Sequence, residues 1–482
     1  MHDLTSYLRY NEKKLFMYAC SSLCVSRENE GDTMNLGKGK NNLSDKNERF
    51  SSAGFILAAI GSAAGLGNIW KFPYITGQYG GAAFFLLFIV CLLLVGLPVL
   101  LAELALGRAG RGSAASAMVK VGGHPIWGKM SIMFVIVPFV ILSFYAIVGG
   151  WTLHYAVEAF SGSLFSNNDF AGQFASFSSG YAPLVWLLIV FAFTAVVVTL
   201  GVSNGIEKFN KILIPAKVIL LLVLMINALM LPGSGAGVSF FLNPDFSKLS
   251  IESALVALGH AFFSLSLGMG IMVTYGAYVD RRQSLGGAML AVGGGDLIYA
   301  FIAGMIIFPT TFSFGINPAQ GPSLVFIALP AAFSAMPFGA FFGGLFFVLL
   351  AVAALGSMVS LLEVPVAYVM ERFRWGRVRS VVIVSILCLL LGVPSALSMG
   401  LVPELKVGDK SFFDFVDFTA SNIFLPLGGL LIVIFTGYYW KTAGEHANLK
   451  PIWFRVWLFG LRYVSPILML LVFLHTSGII KF

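Results

Sequence analysis

Asp296 stands in VGGGDLIYAF, deep in an apolar run long enough to cross a bilayer. A carboxylate there has two chemistries open to it: holding a cation, or standing protonated or serine-paired as a structural acid. Functional use is the default for an ionisable group at that depth. A second anomaly is GSAAGLGNIWKFPYITGQYGG, Gly61 to Gly81, where Gly65, Gly67, Asn68, Lys71 and Pro73 interrupt an apolar helix already running at Phe55. A third is SLGMGIM, Ser266 to Met272, which interrupts another. A helix broken inside a membrane exposes amides and carbonyls that lipid cannot satisfy, so a break persists only where protein or ligand satisfies them. Free amides at the new N-terminal end favour an anion, and free carbonyls at the C-terminal end favour a cation.

The elements that must position these groups are membrane helices. Of the 482 residues 58% are hydrophobic and only 11% charged, with a mean hydropathy of +0.88. Soluble domains carry about 25% charged residues, so this composition describes a multi-pass membrane protein. A net charge of +8 does not imply nucleic acid, because the basic residues are dispersed between apolar spans. Cys20 and Cys24 lie in the N-terminal tail and Cys91 and Cys388 in apolar runs, which suggests neither a disulfide nor a metal site. The histidines are scattered and no HExxH occurs, which argues against an intramembrane metalloenzyme.

Eleven runs of spanning length are expected, near 53–75, 82–107, 130–160, 183–202, 210–231, 252–279, 286–312, 340–370, 380–399, 412–437 and 453–475. With the N-terminus inside, most Lys and Arg fall in inner segments, Lys208, Lys211 and Lys217 among them. The outer segments hold Lys248, Lys406, Lys410 and Lys481. That asymmetry puts the N-terminus in the cytoplasm and the C-terminus outside. Residues 1–50 form a polar tail expected to be disordered, and Met34 is a candidate natural start that would place 1–33 upstream of it. The Pro-rich stretch GINPAQGPSLVFIALPAAFSAMPFG reads as an external re-entrant or lid-like hairpin. The breaks at Gly65–Asn68 and Ser266–Met272 lie five spans apart, so a second unit must be inverted relative to the first. Interrupted helices at matching positions of inverted halves point to a midplane substrate site. Gly-x-Gly also serves plain helix packing, but here polar neighbours accompany both breaks.

The stretch AAIGSAAGLGNIWKFPYITGQYGGAAF resembles the first-span signature of the neurotransmitter:sodium symporter family, above all its bacterial amino-acid transporters. GLPVLLAELALGR, YAIVGGWTL, GHAFFSLSLGMGIMVTYGAYV and FDFVDF resemble the family's spans two, three, six and ten. The resemblance runs from about residue 50 to the last span. It implies an all-α fold of eleven spans with broken helices 1 and 6. The first repeat would occupy 51–235, the inverted second 250–437, and the eleventh helix with the C-terminus 438–482. It also implies that an amino-acid carboxylate lies on the amides around Leu66 and Gly67 with the Tyr145 hydroxyl. Gly65 leaves room where amine carriers of the family place an Asp. A first sodium would take Ala63, Asn68, Ser264, Asp296 and the substrate carboxylate, since hard cations prefer oxygen ligands. A second would take the carbonyls of Gly61, Ala64 and Ala353 with Ser357. Ile141, Val148, Phe263, Ser266, Met269, Met358 and Leu361 would line the side-chain pocket. Lys71 with Asp417 would form an outer gate, and Arg49 with Glu371 an inner one.

The sequence departs from the family pattern in places. Gly356 stands where relatives usually carry Thr or Ser, which removes one oxygen from the second sodium site and leaves it weak, water-completed or absent. Asp296 supplies a negative charge that chloride-dependent relatives obtain from the anion. Phe88 and Ala300 replace hydroxyl or acidic residues, and His260 replaces the usual Gln, leaving room for proton involvement. The resemblance therefore implies a sodium-coupled symporter that imports neutral, hydrophobic or aromatic L-amino acids, without chloride. Its partners would be the small substrate and membrane lipid, with no nucleic acid and a monomer sufficient for function, in a prokaryotic cytoplasmic membrane. The alternatives are a non-transporting amino-acid sensor on the same fold, or a carrier of another small zwitterion.

Overall fold

The computed structural model describes residues 49–319 and 324–480. The expectations for the tail, for Cys20 and Cys24 and for Lys481 lie outside the described residues.

Nine helices among the described residues are long and apolar enough to cross a membrane. A further span is a bent pair, Ser52–Ala63 and Gly67–Gln78, whose halves meet at 44°. The sixth span is also divided, into Ile251–Ser264 and Ile271–Ala277. Each half is too short to cross a bilayer alone. Numbered in order, the others are span 2 (Ala82–Gly110), span 3 (Ile126–Ser161), span 4 (Ala182–Thr199), span 5 (Val202–Leu229), span 7 (Leu285–Ser313), span 8 (Gly339–Phe373), span 9 (Arg377–Ser398), span 10 (Phe412–Tyr439) and span 11 (Pro451–Thr476). Their outer faces carry side chains such as Leu94, Ile219 and Leu390, each more than half exposed, as helices solvated by lipid require.

Both breaks arise from local sequence. At 64–66 the chain leaves the helix without a glycine hinge in the left-handed region, and Gly65 N–H turns back onto the Ala63 carbonyl at 2.7 Å. At 265–270 the backbone adopts three left-handed conformations, at Ser266 (φ 56°), Gly268 (φ 76°) and Gly270 (φ 71°). Two of these cost little because glycine lacks a Cβ, whereas Ser266 is a strained exception of the kind found at functional sites. The freed Gly268 amide donates to Glu103 of span 2 at 2.7 Å. Glu103 is fully buried, so the carboxylate is the partner that makes the break tolerable there.

The first half of span 1 is pinned at its start. The Ser51 amide and hydroxyl both donate to the Glu207 carboxylate of span 5, at 2.8 and 2.6 Å, and Lys211 pairs with the same group at 2.6 Å. The negative group at a helix N-terminus also complements the helix dipole. Spans 5, 7 and 8 pack around this half-helix, and spans 3 and 8 run alongside each other through the middle of the molecule. In the Pro-rich segment between spans 7 and 8, Leu329–Ser334 is helical and Phe326 lies in an aromatic cluster with Trp151, Phe174 and Phe347.

Candidate substrate and ion site

The two breaks face each other and bring together groups that are far apart in sequence. Asn68 Nδ2 donates to Asp296 Oδ1 at 2.7 Å, and Ser264 Oγ donates to the same oxygen at 2.6 Å. Ser264 Oγ also lies 2.7 Å from Asn68 Oδ1. All three residues are buried, and Asp296 Oδ2 has no protein partner. A buried carboxylate oxygen without a donor is costly unless a cation meets it. The donor set is oxygen throughout, which fits a hard monovalent ion.

Beside this cluster the Leu66 amide donates to the Tyr145 hydroxyl at 3.1 Å. Ser266 and Ser357 hydroxyls each donate to the Ser62 carbonyl at 3.2 Å, and Ser266 also reaches the Ser62 hydroxyl at 3.1 Å. In this closed arrangement, side-chain hydroxyls thus satisfy the backbone that the break frees. A Cβ on Gly65 would run into Ser357 Oγ and come within 3.4 Å of the Tyr145 hydroxyl.

These residues enclose a central cavity of about 20 Å³, which holds roughly one water. Ala63, Gly65, Gly67, Asn68, Ile141, Tyr145, Phe263, Ser264, Ser266, Met269, Ser357 and Leu361 line it, all expected from the sequence. Leu66, Val148 and Met358 do not line it. Leu66 contributes its amide to Tyr145, and the other two are packed in the core. Ser62 and Ile271 line it without having been singled out. A larger cavity of about 230 Å³ lies on the Lys71 side, lined by Trp70, Tyr74, Trp151, Phe326, Phe413, Asp417 and others. Tyr145 and Phe263 line both spaces and form the partition between them.

Lys71 and Asp417 face this outer cavity together but do not pair directly. Lys71 Nζ lies 5.3 Å above the Phe263 ring, and Asp417 accepts from Ser421 at 2.9 Å. At the opposite end Glu371 pairs with Lys120 at 2.8 Å and accepts from Ser113 N–H and Ser116 Oγ, rather than meeting Arg49. The expected inner pair is corrected accordingly. Lys120, together with the Ser113 and Ser116 donors, holds Glu371 at its own end of span 8, whereas Arg49 is exposed before span 1.

The second sodium position does not fit its expected ligands. Ser357 turns its hydroxyl to the Ser62 carbonyl. A Cβ on Gly356 would lie 2.8 Å from the Gly61 carbonyl oxygen, so spans 1 and 8 touch where a hydroxyl would have stood. The Ala64 carbonyl is already taken, because Lys217 Nζ donates to it. Lys217, expected in an inner segment, is instead 2% exposed, on the inward face of span 5. It and Glu103 were missed for one reason: each was read as part of a charge balance or a motif, although an ionisable residue inside a span is itself a functional signal.

The model of the family described as "Sodium:neurotransmitter symporter family" matches residues 47–170 and 176–482. The chain belongs to that family. The symporter is 38% identical to YhdH of Bacillus subtilis, an uncharacterised sodium-dependent transporter, over 90% of this chain and 98% of the relative. A sodium-dependent transporter of Methanocaldococcus jannaschii is 34% identical over 89% and 90% of the two chains. The crystal structure of MhsT in complex with L-phenylalanine superposes with a TM-score of 0.83 at 43% identity, covering 88% of this chain and 98% of MhsT. The symporter is thus a sodium-dependent transporter with the broken-helix fold, embedded in a membrane by many passes.

Proposed function

We propose that the symporter imports neutral, hydrophobic and aromatic L-amino acids together with sodium, by alternating access around the unwound centres of spans 1 and 6. The Asp296–Asn68–Ser264 cluster carries this reading, because two donors hold one carboxylate oxygen and leave the other open beside the broken helix. Sodium draws on Asp296, Asn68, Ser264 and the Ala63 carbonyl. The carboxylate of the amino acid completes its shell. Each solute then improves the site of the other, and the effect is reciprocal. The Leu66 amide, which donates to Tyr145, passes to the arriving carboxylate along with the Tyr145 O–H. Gly65 keeps that space free.

Ile141, Met269 and Leu361 give the side-chain pocket an apolar wall that offers no partner to a charged side chain. Methionine there deforms to fit varied apolar shapes. The capture of L-phenylalanine by MhsT supports the aromatic end of this range. Phe263 and Tyr145, as the partition, part to admit the substrate and close over it, while Lys71 and Asp417 approach across the outer cavity. Asp296 provides the negative charge, so no chloride is required. The two inverted units are 51–235 and 250–437. The protein works as a monomer in a bacterial cytoplasmic membrane, with its N-terminus inside and its C-terminus outside, as the basic-residue asymmetry supports.

Uptake of labelled phenylalanine, tryptophan or leucine into proteoliposomes should require an inward sodium gradient and be unaffected by replacing chloride with gluconate. Equal uptake in sodium-free buffer would refute the coupling.

A further inference from the structure

Lys217 is out of place for a basic residue of a membrane helix. Its neighbours on span 5 include Ile212 at 74% and Ile219 at 62% exposed, which face lipid, while Lys217 is 2% exposed on the opposite side. A lysine that snorkels extends its head to the membrane surface. This one drives its head into the core, where Nζ donates to the Ala64 carbonyl at the break of span 1 and lies 5.0 Å above the Tyr299 ring.

We infer that the Lys217 ammonium occupies the second cation position of the site, so that the symporter binds one sodium per cycle. This rests on the reading of the chain as a sodium symporter with its first cation at Asp296. Three independent features around the first half of span 1 agree. The Ala64 carbonyl, freed by the helix break, needs a positive partner and receives a tethered one. The ring of Tyr299 supplies a second, cation-attracting face to the ammonium, as aromatic rings do. Gly356 both withholds the hydroxyl a sodium ion would use and lets the Gly61 carbonyl approach span 8 closely, since a Cβ would sit 2.8 Å from that oxygen. A sodium ion needs an open shell of oxygens there; an ammonium on a four-carbon stem needs only acceptors for its three protons. The loss of the hydroxyl at 356 and the presence of Lys217 are therefore two halves of one substitution, although 139 residues separate them in sequence.

The test counts ions. Purified full-length protein with saturating L-phenylalanine is titrated with radioactive sodium in a scintillation-proximity format. Binding should reach about one sodium per chain with a Hill coefficient near 1, since that coefficient is bounded by the number of coupled sites. Two sodium ions per chain overturn the inference and leave the symport reading intact; none overturns both. Removing the tethered charge and restoring the hydroxyl by Lys217→Ala with Gly356→Ser should open the position to sodium, so that the Hill coefficient rises towards about 2. A folded Lys217→Ala, Gly356→Ser protein with unchanged phenylalanine affinity and an unchanged sodium count refutes the role of the ammonium. Should that variant not fold, the count on the unaltered protein decides alone.

Discussion

Replacing Asp296 by Asn removes one negative charge from the floor of the site while keeping its shape. The amide oxygen can still accept from Asn68 Nδ2 and Ser264 Oγ, which approach Oδ1 at 2.7 and 2.6 Å, so the packing of spans 1, 6 and 7 is preserved. The amide nitrogen then occupies the position of Oδ2, the oxygen that lacks a protein donor, and turns N–H groups towards the cation. A carboxylate and a sodium ion about 2.4 Å apart attract by roughly 7 kcal/mol at an effective dielectric constant of 20, before dehydration is subtracted. Measured losses on breaking one side of a buried charge pair are about 3–5 kcal/mol, which corresponds to a roughly 100- to 3,000-fold weaker half-saturation for sodium. The assay is sodium-dependent binding of labelled phenylalanine to purified protein, with the thermal midpoint measured alongside. A half-saturation within about threefold of the unaltered protein would refute the assignment of Asp296 to the ion site, since threefold is below 1 kcal/mol. Restoration of binding by chloride would instead locate the missing charge at this same point.

Further outcomes follow from the same geometry. Tyr145→Phe removes the acceptor of the Leu66 amide and a donor to the substrate carboxylate, so phenylalanine affinity should fall about 10- to 150-fold, one charge-assisted hydrogen bond being about 1.5–3 kcal/mol, and the thermal midpoint of the substrate-free protein should fall with it. Gly65→Ala pushes a methyl group against Ser357 Oγ, and affinity should drop by about 10- to 100-fold, the usual 1–3 kcal/mol of overpacking. Adding Ser357→Ala should recover part of that loss in a double-mutant cycle, and strict additivity would disprove the contact. Glu103→Ala strands the Gly268 amide in the core and should destabilise the protein by about 1–3 kcal/mol, read as a lower thermal midpoint, with Glu103→Gln retaining most of the stability.

The spans and both breaks were legible because their signals are local. Runs of apolar residues mark helices, and Gly65–Asn68 and Ser266–Met272 place glycine and polar groups where a helix should continue. Most of the cavity lining was legible for the same reason, once the motifs were aligned with a family. What escaped were contacts made across the fold. Lys217 meets the carbonyl of a residue 153 positions away, Glu103 meets an amide 165 positions away, and Glu371 meets Lys120 across 251 positions. A carbonyl is present at every residue, so no sequence pattern announces that Ala64 is the one with a cation on it. The inner gate failed on the same ground: charge and proximity to a span end do not choose between Arg49 and Lys120 as the partner of Glu371.

A charge carried on a side chain returns with the protein on every cycle, so the ammonium on the Ala64 carbonyl moves no ion down a gradient. A tenfold sodium gradient contributes about 1.4 kcal/mol per ion and a membrane potential of about 100 mV a further 2.3 kcal/mol. One sodium per substrate thus caps accumulation at roughly 500-fold, where two would permit on the order of 10⁵-fold. Uptake that follows sodium to the first power also declines gently as the medium is diluted. With Lys217 in that role, the transporter gives up steep concentration of its substrate and keeps working where sodium is scarce.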